Sequence, residues 1–210
     1  MTDYKTVSKL ATAEFVEKRS RFISSVSPVQ NEEEALRFLA EIKAANREAR
    51  HNVYAYICRE NNICRYSDDG EPGGTAGMPV LHVLQSQGLT DVCVVVTRYF
   101  GGILLGAGGL TRAYAKSAAD GVSAAGICHM VNSCVFKAEI AYPLLGKVQH
   151  VCAESDFTIL DTSYDASVTL TLCVETDRGD FLREKLVDAT DGKIQIEKKD
   201  ECFVAKLLEG

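Results

Sequence analysis

Short alternations of apolar and polar residues predict strands in the first part of the chain, and one helical period interrupts them. Residues 13–28 alternate around a basic centre, which predicts one strand or a bent pair of strands. A 3.6-residue period begins after Asn31, a good helix-capping residue, and Glu34 occupies the capping-box position. The pattern is that of a surface helix packed on a sheet, and its apolar stripe is predicted to consist of Leu36, Leu39 and Ile42.

A β-hairpin is predicted over residues 53–67. Two alternating runs flank Asn61 and Asn62, and Asn tolerates the left-handed backbone that tight turns require. Because successive side chains of a strand point to opposite faces, the first run should divide into two sets. One set is Val53, Ala55 and Ile57, and the other is Tyr54, Tyr56 and Cys58.

Glycines mark the next elements. Thr75 is predicted to cap a helix over about 76–87 that Gly88 ends. The stretch 92–100 is nearly all β-branched, which predicts a central strand covered on at least one face. A glycine-rich loop then leads into a helix over about 110–124. The mixed elements of this first domain indicate a two-layer α+β sandwich.

A new pattern begins at residue 134, so we predict a domain boundary that divides the chain into 1–130 and 131–210. The order strand, helix, strand, strand, helix, strand is that of a ferredoxin-like βαββαβ domain. The predicted elements are 134–142, 143–155, 157–163, 167–175, 178–190 and 192–199.

Four strings identify a family resemblance that covers essentially the whole chain. SDDGEPGGTAGMP (67–79) and TRYFGGILLGAGGLTRAY (97–114), with RSRFI (19–23) and HNVYAYI (51–57), closely resemble the IMPACT family, in particular its bacterial two-domain, YigZ-like branch. The resemblance implies a first domain with the fold of the second domain of a small-subunit ribosomal protein. It implies a second domain similar to the ferredoxin-like domain V of elongation factor G.

The same resemblance bears on function. The family is associated with regulation of translation, and its eukaryotic members act through protein contacts in a starvation response. The resemblance therefore implies a ribosome, RNA or translation-associated protein partner, with no cofactor and no catalytic residue to carry over.

Composition and charge narrow the classes of protein. At 210 residues and 46% apolar content, the chain has room for one large or two small domains with a real core. No basic stretch followed by an apolar run opens the sequence, and no apolar run approaches the roughly 18 residues of a membrane-spanning helix. We therefore expect a soluble, cytoplasmic protein with no membrane contact.

The net charge of −6 is unevenly shared. Residues 1–135 carry 14 basic and 14 acidic side chains, whereas residues 136–210 carry 9 and 15. A nucleic acid would therefore meet the first half of the chain.

The eight cysteines show no CxxC spacing and mostly fall in apolar runs. This pattern predicts free, mostly buried thiols. A zinc site made by His51, Cys58 and Cys64 is the less favoured alternative, because its spacing matches no usual ligand pattern.

The loop from Gly101 to Gly109 is the first candidate site, because it joins a strand to a helix N-terminus. Free N–H groups and the helix dipole favour an anion there, such as a phosphate of RNA or of a nucleotide. The loop is neither a P-loop nor GxGxxG, so a tight crossover that serves packing alone is an equal alternative. Its candidate binding residues are Gly101, Gly102, Gly106, Gly108 and Gly109.

Basic and aromatic residues around this loop form the second candidate feature. Arg98 ends the central strand, and Arg112 and Lys116 lie one turn apart on the following helix, so we expect all three at one pole of the domain. Tyr99 and Phe100 would add aromatic faces. Further charge would come from Arg19, Arg21 and Arg65. The alternative is a solvated basic face.

An acidic turn and one histidine complete the candidate set. Asp68, Asp69 and Glu71 could bind a hard cation, pair with the arginines or simply shape the turn. His51 begins one of the family strings and is the strongest candidate of the four histidines. Thr75 is included at the start of the next helix.

Two functional hypotheses follow. The first is a non-enzymatic regulator of translation that binds ribosome, RNA or a protein through the glycine-rich, arginine-bearing pole of the first domain. The second is a nucleotide- or metal-dependent hydrolase that uses the glycine loop for phosphate and the acidic turn for a cation. The first is favoured chiefly because the family resemblance implies it, and also because no complete catalytic set is present.

Overall fold

The computed structural model describes residues 2–207, and these fall into two compact units. Tyr4–His129 belong to the first unit and Met130–Val204 to the second. None of the helices in this part of the chain combines the length and apolar character that a membrane crossing requires.

The first unit is built on a five-stranded antiparallel sheet with the strand order β2-β3-β6-β4-β5. The strands of this unit are Tyr4–Val7 (β1), Ala11–Glu17 (β2), Ser20–Pro28 (β3), His51–Cys58 (β4), Ile63–Ser67 (β5) and Val92–Tyr99 (β6). The helices are Glu32–Ala45 (α1), Gly77–Ser86 (α2) and Ala107–Ala125 (α3).

Strand β6 lies at the centre of this sheet, as its β-branched run predicts, and both of its faces are buried. Val94 and Val96 belong to a core shared with α2 and α3, whereas Cys93 and Val95 belong to a second core shared with α1. The unit therefore has helices on both faces of the sheet, and the predicted two-layer sandwich is wrong in this respect. Sequence periodicity shows that a helix has an apolar face but not which face of a sheet it covers.

The predicted hairpin is formed by β4 and β5. Asn61 and Asn62 both take positive φ, at 58° and 51°. The alternation along β4 also holds, since Val53 faces the α2–α3 core and Tyr56 faces the α1 core.

Helix α1 begins as predicted, because the Asn31 side chain accepts a hydrogen bond from the Glu34 amide (3.0 Å). Its predicted stripe is partly wrong: Leu36 is 48% exposed, and the buried positions are Ala35, Phe38 and Leu39.

The second unit has the predicted order βαββαβ, with antiparallel pairing of β9 to both β7 and β8. The strand order β10-β7-β9-β8 is that of a split βαβ sheet. Its first strand begins seven residues earlier than the predicted start at 134. The elements are Ile127–Ile140 (β7), Leu145–Glu154 (α4), Thr158–Tyr164 (β8), Val168–Glu175 (β9), Gly179–Ala189 (α5) and Ile194–Leu207 (β10).

Candidate functional site

A buried polar network joins the acidic turn (residues 68–72) to β6 and α3. The Arg98 Nη1 donates to Glu71 Oε1 at 2.6 Å, and the Tyr114 hydroxyl donates to the same oxygen at 2.8 Å. The side chains of Arg98 and Glu71 are only 6% and 4% exposed. Burial, together with the adjacent carboxylate of Glu71, raises the pKa of Tyr114, so its hydroxyl stays a donor at neutral pH.

Arg98 is held on several sides. Its guanidinium carbon lies 5.5 Å from the ring centroids of both Phe22 and Phe100. Its Nη2 donates to Ser20 Oγ at 3.3 Å, but its buried Nε has no hydrogen-bond partner within the described residues. A buried ion pair is expensive to desolvate, and removing either partner leaves an uncompensated buried charge.

Above this network lies an open cleft of about 330 Å³. Its polar lining residues are Arg50, His51, Glu71 and Arg98, and its apolar ones include Pro72, Phe100, Leu104, Leu105 and Leu110. Phe100 is 47% exposed and Leu104 is 82% exposed, so the rim of the cleft is apolar and faces solvent.

His51 is oriented by the acidic turn. Its Nδ1 lies 2.9 Å from the backbone carbonyl of Asp69, which can only accept, so Nδ1 carries the hydrogen. The Asp69 carboxylate is itself engaged, by Lys43 Nζ at 3.0 Å and by the Asn52 amide at 2.7 Å. The turn therefore fixes His51 at the wall of the cleft.

Asp68 has a structural task that its neighbours in the turn do not share. Its carboxylate accepts from the amides of Gly74, Ala76 and Gly77 at 2.8–3.0 Å and thereby caps α2. Partial burial by itself would raise the pKa of Asp68, but these three donors outweigh that effect and lower it. Thr75, the predicted cap, instead donates its hydroxyl to the Pro72 carbonyl (2.6 Å), so that prediction is wrong.

The three acids of the turn thus have three separate sets of partners. In the described part of the chain, no group of three or more His, Cys, Asp or Glu side chains is arranged to hold a metal ion. Neither the hard cation, one of the open alternatives for the turn, nor the less favoured zinc site at His51 gains support from the arrangement of these described residues.

The glycine loop (residues 101–109) places the start of α3 at the cleft. A Cβ on Gly101 would overlap the backbone of Arg19, and the Gly101 amide donates to Ser20 Oγ at 3.2 Å. Gly106 takes φ 72° at the N-cap position and offers no side-chain cap. Helix α3 begins at Ala107, three residues before its predicted start, so Gly108 and Gly109 lie in its first turn.

Gly102 and Gly108 are exposed, whereas Gly109 is half-buried against Leu105. Two other residues at the start of α3, Gly106 and Ala107, are among those that line the cleft. The loop is therefore both a tight crossover and one wall of a surface cleft.

The structure does not gather the predicted cations in one cleft. Arg98 is buried beneath the cleft, whereas Arg112 and Lys116 are exposed and line a separate groove of about 160 Å³ with Phe15 and Lys18. The predicted basic set is therefore divided between two neighbouring spaces, which share Leu105 as a lining residue.

Arg21 and Tyr99 are not among the lining residues of the cleft. Arg21 forms a two-point ion pair with Glu14 (2.7 and 3.0 Å) and lies 5.6 Å from the Tyr99 ring. The Tyr99 hydroxyl donates to Asn46 Oδ1 at 2.9 Å.

Sequence reasoning missed several residues of the site. Ser20 and Tyr114 lie inside the strings that carry the family resemblance, yet neither has a sequence signal separate from packing. Leu104 is also missed, although it is an apolar residue within a glycine-rich loop, where burial is not expected. Phe100, which is predicted to supply an aromatic face, does line the cleft.

The fold and the cleft define a class of two-unit α+β proteins with a candidate ligand cleft at a strand-to-helix junction. Family models match both units: residues 18–122 match the Impact N-terminal domain, and residues 139–193 match a domain of unknown function, DUF1949. The chain belongs to the IMPACT family, which confirms the family resemblance.

Bacterial relatives extend this similarity over most of the chain. The chain is 39% identical to IMPACT family member YvyE of Bacillus subtilis, over 98% of this chain and 95% of that protein. It is 30% identical to IMPACT family member YigZ of Escherichia coli, over 85% and 89%. A crystal structure described as that of a hypothetical protein is 28% identical and covers 95% of this chain and 98% of its own, with a TM-score of 0.61.

Proposed function

We propose that this protein is a non-enzymatic, cytoplasmic regulator of translation. It binds the ribosome through the cleft of its first unit, which contacts either ribosomal RNA or a ribosomal protein. The translational role is what the family resemblance implies. We also propose the two specific folds that the resemblance implies. The first domain would have the fold of the second domain of a small-subunit ribosomal protein, and the second domain would have that of domain V of elongation factor G. The split βαβ strand order supports the second of these.

The exposed apolar rim of the cleft carries the proposal. Leu104 and Phe100 stand in solvent directly beside the buried Arg98–Glu71 pair and the uncapped start of α3. Interfaces are anchored by clustered apolar and aromatic side chains next to a few fixed polar groups. A partner that buries Leu104 would gain the free energy of removing that side chain from water.

The hydrolase alternative gains no comparable observation. Asp68, Asp69 and Glu71 are each held by internal partners rather than turned to one point. Because internal contacts account for all three carboxylates, a binding function explains this site better than a hydrolase does.

The proposal is tested by co-sedimentation of the purified protein with 70S ribosomes, using Leu104→Ser. We expect the variant to bind about tenfold or more weakly, since burial of one leucine contributes about 1.5–3 kcal/mol. The matched control is Leu160→Ser, a 54%-exposed leucine on β8 in the second unit, which should bind like the wild type.

Two results would overturn the proposal. One is wild-type protein that does not sediment with ribosomes. The other is Leu104→Ser that sediments as strongly as both the wild type and Leu160→Ser. Because Leu104 is exposed, a folding defect is not expected to obscure either result.

A further inference from the structure

A basic groove lies next to the cleft, and Leu105 lines both of them. It runs between the β2–β3 turn and α3, and it is lined by Phe15, Glu17, Lys18, Arg112 and Lys116 among others. Arg19 stands beside Lys18 at the tip of the same turn and is also exposed. Two elements that are distant in sequence thus present three cations along the groove, and a fourth, Arg19, lies beside Lys18 at the tip of the turn.

Most of this charge is not neutralised locally. Lys116 pairs with Asp120 at 2.6 Å and lies 5.1 Å from the Phe15 ring centroid, and Glu17 adds one negative charge to the lining. Lys18, Arg19 and Arg112 form no ion pair within residues 2–207. The groove therefore keeps a positive balance on a chain whose net charge is −6.

The turn that carries two of these cations has an unfavourable sequence for its geometry. Glu17 and Ser20 form the last strand pair, so Lys18 and Arg19 make a two-residue hairpin turn, and both take positive φ (45° and 63°). Asn-Gly is the favoured sequence for such a turn, since a long side chain is strained in the left-handed region. The backbone of Arg19 also lies so close to Gly101 that a Cβ there would overlap it, so the turn packs directly against the glycine loop.

We infer that this groove binds the phosphate backbone of RNA, with Lys18, Arg19, Arg112 and Lys116 as its contacts. Guanidinium groups match phosphate oxygens with a two-point fork, and lysines add compact charge. The Arg112 guanidinium lies near Gly108, one turn before it on α3, whereas Lys116 Nζ lies at Asp120, one turn after it. The cations of the helix are therefore spread along the groove rather than converging on one point, so a chain of phosphates fits it better than a single anion. The inference rests on the proposed function only for the source of the RNA.

The test uses a substitution that separates charge from fold: the double variant Lys18→Asn, Arg19→Gly. It removes both cations and supplies the sequence that the turn geometry favours. We expect its melting temperature to rise by a few degrees, because strain at the turn is relieved. Its affinity for RNA should nevertheless fall by tenfold or more.

RNA binding is measured by fluorescence anisotropy with a labelled 20-nucleotide oligouridylate and with an RNA duplex, from 50 to 200 mM KCl. For the single strand, the slope of log K against log salt should be near −2.8 for four contacts, at about −0.7 per contact. The double variant should reduce it to about −1.4, and Arg112→Gln alone to about −2.1, by the same relation. The two RNA forms show whether the backbone is taken from single strands or from helices.

The control is Arg37→Gln, Arg47→Gln, which removes the same charge from exposed positions on and just after α1 and should keep the wild-type slope. The inference is overturned if the double variant gains stability but keeps the wild-type affinity and slope, or if the wild type binds neither RNA. It is also overturned if polyglutamate at equal charge binds more tightly than either RNA, since the groove would then recognise acidic protein in preference to a phosphate backbone.

Failure of this inference is distinguishable from failure of the proposed function. Leu104→Ser lies in the cleft and should leave the salt slope for oligouridylate unchanged. A protein that binds RNA through the groove but never sediments with ribosomes would refute the ribosomal role alone. Ribosome binding that requires Leu104 but not Lys18 and Arg19 would refute the groove alone.

Discussion

Helices α2 and α3 both begin after a glycine-rich segment, yet a carboxylate caps the N-terminus of α2 and no side chain caps that of α3. At α2, the Asp68 carboxylate accepts from the amides of Ala76 and Gly77, so the start of the helix is closed from within the chain. At α3, Gly106 provides no capping side chain, and the start of the helix forms part of an open cleft. The first glycine-rich segment is architectural, whereas the second leaves a helix dipole facing solvent.

The buried network explains how the two helix starts depend on each other. Glu71 belongs to the turn that caps α2, Tyr114 belongs to α3, and Arg98 bridges them from the central strand. A composition rich in glycine therefore does not identify a ligand site by itself. The two helix starts differ in the position of the nearest carboxylate, which either accepts hydrogen bonds from the free amides or leaves them open to a ligand.

The largest expected effect comes from removing the bridge between the two helix starts. Arg98→Leu should destabilise the protein by about 3–5 kcal/mol, because it leaves the Glu71 carboxylate buried without its cation. The double variant Arg98→Leu, Glu71→Leu should recover much of this loss, since neither charge then remains. Urea unfolding at pH 7 measures both free energies.

The comparison variant for this experiment is Arg112→Leu, an exposed arginine on α3 that should change stability by no more than about 0.5 kcal/mol. Equal losses for Arg98→Leu and Arg112→Leu would contradict the role assigned to the buried network.

Opening the closed helix start should have a smaller effect. Asp68→Ala leaves the amides of Gly74, Ala76 and Gly77 without their acceptor, and we expect a loss of about 2 kcal/mol at pH 7. Because the pKa of Asp68 is lowered in the folded state, its contribution is present above the ordinary pKa of 3.8 and is lost as pH falls through the lower folded value. The difference between wild type and variant should therefore shrink as pH falls below 3.8 and through the lower pKa of the folded state.

Urea titrations at several pH values between 2.5 and 7 measure this difference. Thr75→Ala serves as the reference, since its hydroxyl bonds only the Pro72 carbonyl and should contribute less. A difference for Asp68→Ala that stays constant with pH would show that the cap does not act through its charge.

The smallest expected effect concerns the open helix start. Gly106→Ala should cost about 1 kcal/mol, because a side chain is strained at φ 72°. Gly108→Ala, two residues later inside the helix, should instead stabilise by about 0.5 kcal/mol, because an added Cβ meets only the Arg112 side chain at 3.6 Å.

Thermal unfolding resolves these two opposite shifts. If Gly106→Ala were neutral, the glycine would not be needed for the geometry that keeps the start of α3 at the cleft.

Local patterns were sufficient for most elements of the fold. The Asn61–Asn62 turn, the alternation along β4, the burial of β6 and the βαββαβ order all follow from interactions between near neighbours in sequence. Boundaries were less accurate where a glycine sits in the first helical turn. Gly108 and Gly109 resemble loop residues, but they lie inside α3.

The candidate site was predicted only in part. His51, Glu71 and Arg98 were selected from sequence and do line one cleft. The sequence also indicates Arg19 as an additional charge, but it does not single out the exposed rim residue Leu104, Lys18 or the strain of the turn, because an apolar loop residue and a basic pair are individually ordinary.

The sequence by itself determined the family, the order of elements and the residues able to bind an anion, since these depend on local period, turn chemistry and residue type. Only the tertiary structure decided which charges are used internally. Asp68 caps a helix, Arg98 forms a buried ion pair with Glu71, and Arg112 lines a groove other than the cleft. Partners in these contacts are separated by up to 27 residues, and no local pattern records which of several possible cations or amides a folded chain will bring to a given carboxylate.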